Sequence, residues 1–164
     1  MGADMSGKFA ADTSVSVERT RAEIERLIIK YGATSTAFFN GPTEAMIAFE
    51  ASERRILFRL PLPGREEPRF TTYQRGTTTY QRTAEAAFAQ WEQACRQRWR
   101  ALALVIKAKL EAVESGITTF EDEFMAHIVM PDGQTVATHV KPRIAQAYAT
   151  ETMTPLLPPP GRLS

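Results

Sequence analysis

Apolar residues recur at helical spacing over Val17, Ile24, Leu27, Ile28 and Tyr31, and this predicts an amphipathic helix with Ser16 as its N-cap and Gly32 as its stop. The pattern then changes period. Ala33 to Asn40 is rich in Thr, Ser and Phe, Gly41-Pro42 signals a turn, Thr43 to Ala51 reads as a second strand and Arg54 to Leu60 as a third. In the third strand alternation sets Ile56, Phe58 and Leu60 on one face and Arg55, Leu57 and Arg59 on the other. The connections are a few residues long, which suits an antiparallel meander and is too short for parallel crossovers.

The longest periodic segment opens at Thr83 and closes at Ser115, with Gly116 as its stop. Phe88, Trp91, Cys95, Trp99, Leu102, Ile106, Leu110 and Val113 fall three or four residues apart along it and form one stripe, so Trp91 and Trp99 read as core. At about 1.5 Å per residue this helix reaches roughly 48 Å, whereas a compact domain of this length has a radius of gyration of about 15 Å. It must cross the domain, bend or project into a partner. Thr118 and Thr119 before Glu121 and Asp122 are a capping-box signature for a short acidic helix to about His127. Pro131-Asp132-Gly133 is a turn, and a last helix is expected around Pro142 to Ala149.

The fold class expected from these elements is α+β: an antiparallel sheet of three or more strands packed on one long amphipathic helix, with additional shorter helices. Residues 1–14, rich in small and polar types without periodicity, read as a flexible leader. Residues 15–150 read as a single α+β domain, and residues 151–164 as a proline-rich C-terminal tail.

Pro61 to Thr83 is the least regular part of the interior. It contains a short repeat, because Thr71-Thr72-Tyr73-Gln74-Arg75 recurs as Thr78-Thr79-Tyr80-Gln81-Arg82. Thr and Tyr favour strands and Gly76-Thr77 separates the copies, so a hairpin presenting Tyr and Arg from each arm is one reading. A disordered loop is the other.

A chain of 164 residues, 43% hydrophobic, is large enough to bury a core without disulfides or metals. Its one cysteine, Cys95, has no partner within the chain, which points to a reducing compartment. The first twenty residues lack the apolar run of a secretion signal, and no stretch approaches the roughly 20 apolar residues of a membrane span.

Charge changes the picture more than composition does. The net charge is +1, yet residues 54–109 carry twelve Lys/Arg against four Asp/Glu, a segment net of +8 against −7 elsewhere. Aromatic residues run through the same stretch, and cations among aromatic faces are what a polyanion with stackable bases requires. The candidate nucleic-acid-binding residues fall in three groups. Arg55 and Arg59 lie on the outer strand face. Arg69, Tyr73, Arg75, Tyr80 and Arg82 lie in or beside the repeat. Arg96, Arg100 and Lys107 lie within about 40° of one another on the long helix. Tyr73 and Tyr80 are the stacking candidates, because their polar setting does not need them for a core. The acidic remainder, Glu121, Asp122 and Glu123 above all, is able to fold back and neutralise these cations.

Other chemistry is thinly represented. Glu123 and His127 stand four apart, with Asp132 and His139 beyond, but the spacing matches no metalloenzyme pattern. Cys95 sits on the apolar stripe as a small hydrophobe, and no glycine-rich phosphate loop or nucleophile elbow occurs. No catalytic residue, metal or cofactor is expected.

The run from Trp91 through Cys95, Arg96, Arg98, Trp99 and Arg100 to Leu102, continuing by Lys107 and Lys109 to Gly116-Ile117-Thr118-Thr119-Phe120-Glu121-Asp122-Glu123, resembles small uncharacterised proteins of bacteriophages, prophages and related mobile elements. The resemblance implies a bacterial host cytoplasm, where small basic-centred proteins accompany DNA replication or recombination. The expectation is a non-enzymatic phage-type accessory protein that binds nucleic acid, single-stranded DNA favoured, by phosphate neutralisation and base stacking. The alternative is a protein-interaction or anti-defence factor that forms a charged homo-oligomer or grips a host protein.

Overall fold

The computed structural model describes residues 15–159; the expected leader and residues 160–164 of the expected tail lie outside them. Helix α1 (Val17–Lys30) opens on Ser16, whose side chain accepts the Arg19 amide. It buries Thr20, Ile24 and Ile28. Three strands follow, β1 (Ser35–Asn40), β2 (Glu44–Ala51) and β3 (Arg54–Pro61), in an antiparallel sheet of order β1-β2-β3. The β2–β3 turn places Ser52 and Glu53 at φ of 49° and 59°, the paired left-handed conformations that a two-residue I′ hairpin demands.

The register sets Ile47 opposite Phe58 and Phe49 opposite Ile56, so one sheet face is a continuous apolar surface. Helix α3 (Ala84–Glu114) covers it with Trp99, Leu102, Ala103, Ile106 and Leu110, and α1 packs beside α3. This is the expected α+β arrangement. The stripe on α3 is buried from Cys95 to Leu110, while Phe88, two turns earlier, is 39% exposed. The first turns of α3 thus outrun the sheet. They rest on a short helix, α2 (Pro68–Thr71), with Phe70 buried, and Trp91 Nε1 donates to the Pro63 carbonyl at 2.8 Å.

Between α2 and α3 the repeat forms a second, two-stranded sheet, β4 (Thr72–Arg75) and β5 (Thr78–Gln81), which settles the earlier choice in favour of a hairpin. After α3, Thr119 caps the acidic helix α4 (Phe120–Phe124), and a 3-10 turn (Met125–His127) ends it. Phe124 is fully buried, edge-on to both Phe49 and Phe58.

The last helix, α5, spans Val136–Thr150 and not the shorter range around Pro142. Thr135 is a strong N-cap, accepting the Thr138 amide, and helix begins there; Pro142 sits inside and removes one backbone donor. No helix among the described residues is long and apolar enough to cross a membrane.

Candidate nucleic-acid interface

The β4–β5 hairpin converts a sequence repeat into a two-sided ribbon. Gly76, at φ +64°, takes the first loop position, where a II′ turn calls for glycine. The two copies fold onto each other with Tyr73 opposite Tyr80, Gln74 opposite Thr79 and Arg75 opposite Thr78. Thr71 and Arg82 extend the ladder, since the Arg82 amide donates to the Thr71 carbonyl at 2.7 Å. Because successive side chains alternate, Tyr73, Arg75, Tyr80 and Arg82 share one face, and Thr72, Gln74, Thr79 and Gln81 the other.

On the first face the two tyrosine rings stack, with centroids 5.5 Å apart and planes at 22°. Each tyrosine is 44% exposed. Arg82 reaches over the Tyr73 ring at 5.6 Å, and Arg75 stands at the other end of the ribbon. Residues 68–83 contain three arginines and no Asp or Glu. Neither Arg75 nor Arg82 has an ion-pair partner within 4.0 Å among the described residues.

Of the other two groups of cations, all but Arg96 are paired with a carboxylate where they stand. Arg55 pairs with Glu50 at 3.3 Å and Arg59 with Glu44 at 2.9 Å, both across the β2–β3 register. On α3, Arg100 meets Glu23 of α1 at 2.6 Å, Lys107 lies 4.0 Å from Glu111, and Arg96 is held by the Gln93 side chain. The acidic remainder does fold back, with Glu121 on Arg54 and Glu123 on Lys109. Such pairs add little stability when exposed. Their consequence is electrostatic, because a phosphate at the paired sites has to compete with a resident carboxylate, whereas Arg96 is held by an uncharged amide.

Arg69, at the hairpin base, is intermediate. Its Nε lies 2.6 Å from Glu67, whose carboxyl is held below the ordinary range by the Gly64 amide first and by Arg69 and Arg98 next. Sequence reasoning missed Arg65, whose guanidinium lies 4.6 Å from the Phe88 ring and 5.1 Å from Trp91. Its charge is the only signal the sequence carries for it, because helical spacing does not show that Phe88 stays exposed.

The structure does not assemble the residues considered for a metal. Glu123 is taken by Lys109, His127 stacks on Phe58 at 4.0 Å, and Asp132 pairs with His139 at 2.7 Å. Among the described residues no group of three or more His, Cys, Asp or Glu side chains is placed to hold a metal ion. Cys95 is buried, and burial pushes its thiol pKa up, away from a reactive thiolate. Among the described residues the ribbon is therefore a place where two unpaired cations and two exposed rings share one face. Compared with known proteins, the chain matches no family model, no curated protein and no solved structure.

Proposed function

We propose that this protein binds nucleic acid, single-stranded DNA in preference to duplex, through the Tyr73–Tyr80 face of the β4–β5 ribbon. The observation that carries the reading is the coincidence, on one exposed face without acidic residues, of two rings and two arginines. Bases stack on the outward ring faces, and Arg75 and Arg82 neutralise phosphates on either side. Unstacked bases are accessible in a single strand and covered in a duplex, which sets the preference. The role is that of a phage-type accessory protein in a bacterial cytoplasm, acting by binding and without covalent chemistry.

The test is a fluorescently labelled single-stranded oligonucleotide titrated with the whole chain at low and moderate salt. Affinity is expected to fall as salt rises, with a log–log slope of about −0.7 for each phosphate neutralised on a single strand. Absence of binding at low salt, or tighter binding to the matched duplex, overturns the proposal.

A further inference from the structure

Helix α5 runs for 15 residues and buries none of them. One side rests on the 3-10 turn at Met125–His127. A flank of the helix presents Ile144, 43% exposed, and Tyr148, 85% exposed, one helical turn apart. A 15-residue helix draws most of its stability from packing an apolar face, and this face is unpacked.

Charges frame the two apolar side chains. Lys141 precedes Ile144 by one turn, and Glu151 closes the helix one turn after Tyr148. Neither has an ion-pair partner within 4.0 Å among the described residues. At 3.6 residues per turn Lys141, Ile144 and Tyr148 fall within an arc of about 60°, and Glu151 follows them as the left-handed C-cap. They form a stripe that reads cation, apolar, apolar, anion.

That order is complementary to itself when reversed. About a two-fold axis beside position 146, Lys141 of one copy meets Glu151 of the other, and Ile144 meets Tyr148. Ala145 borders the stripe and allows close approach of two helices. A groove of about 420 Å³, lined by Ala147, Tyr148, Glu151, Thr152 and Met153, lies at the helix end where the incoming Ile144 arrives. A stripe with one charge of each sign suits neither a polyanion nor an anionic lipid surface as well as it suits a second copy.

We infer that the chain pairs with a second copy of itself through an antiparallel α5–α5 contact, in which Ile144 packs on Tyr148 and Lys141 pairs with Glu151 across the axis. The contact is isologous, so it closes at two copies. It does not rest on the nucleic-acid reading.

Light scattering on the whole chain across the micromolar range is expected to give twice the 18.3 kDa chain mass. Tyr148→Asp is expected to return the chain mass, with its circular dichroism unchanged because the residue is exposed. Lys141→Glu and Glu151→Lys each place like charges together and are expected to weaken pairing about tenfold; the double exchange restores it. A chain-mass species at every concentration overturns the inference. So does an oligomer that Tyr148→Asp leaves intact, or a double exchange that fails to rescue.

Discussion

Tyr73 and Tyr80 stand directly opposite each other across the β4–β5 ribbon, and their stacked rings hold the exposed centre of its charged face. Neither ring belongs to the core, so their removal separates recognition from folding. Tyr73→Ala and Tyr80→Ala are each expected to cost about 1–3 kcal/mol of single-strand binding, the range for loss of one stacked base. Duplex binding should change less. Tyr→Phe at either position should keep most of the affinity, since the ring face is retained. Anisotropy titrations with matched single and double strands read the difference, and an equal loss on both would remove stacking from the account.

The arginines divide by their partners. Arg75→Gln and Arg82→Gln each remove a cation that no carboxylate neutralises, and each should lower the magnitude of the single-strand salt slope by about 0.7. Arg55→Gln and Arg59→Gln instead release Glu50 and Glu44 from their pairs. These two should leave the slope unchanged. If the strand arginines altered the slope as much as the ribbon arginines, the interface would be the sheet face.

The ribbon is expendable to the fold in a way that Trp99 is not. Trp99 is 2% exposed at the centre of the core, and Trp99→Ala is expected to cost about 3–5 kcal/mol in denaturant unfolding. Replacing residues 73–80 by a short Gly/Ser turn removes no core side chain. It should change stability by less than about 1 kcal/mol, near the scale of surface substitutions, and should abolish oligonucleotide binding. A ribbon deletion that unfolds the chain would make the hairpin a structural element first.

Periodicity made most of the fold legible, because each element reports its own buried face. Ile56, Phe58 and Leu60 alternate in the sequence and are buried together, and the stripe from Cys95 to Leu110 faces the sheet as its spacing predicts. Phe88 carries the same spacing and stays exposed, since a one-dimensional pattern does not contain the width of the sheet that covers it. The charge asymmetry was legible along the chain and misleading in space. Arg100 finds Glu23 at 77 positions' separation, and Arg55 finds Glu50 through the register of a turn. Neutralisation is a property of tertiary proximity. The repeat was different: its two copies pair with each other, so its chemistry depends on local geometry alone. At α5 the expected range opens around Pro142, but the Thr135 cap starts the helix at Val136, six residues before that proline.

His127 supplies a pH dependence of known sign. Its ring is half-buried and stacked on Phe58, and burial, then the nearby Lys109 of α3 and Lys141 of α5, lower its pKa from the usual 6.5, against a hydrogen bond to the Leu57 backbone. The unfolded chain therefore takes up a proton near pH 6.5 that the folded chain still refuses. Stability is highest above that pH, falls as the pH drops towards the folded-state value, and levels off once His127 is protonated in the fold. His127→Phe keeps the stack on Phe58 and removes the proton. Thermal melts between pH 7.5 and 5.5 should show a shallower decline for the variant than for the parent chain. Equal slopes would mean that another group governs the acid side of the stability curve.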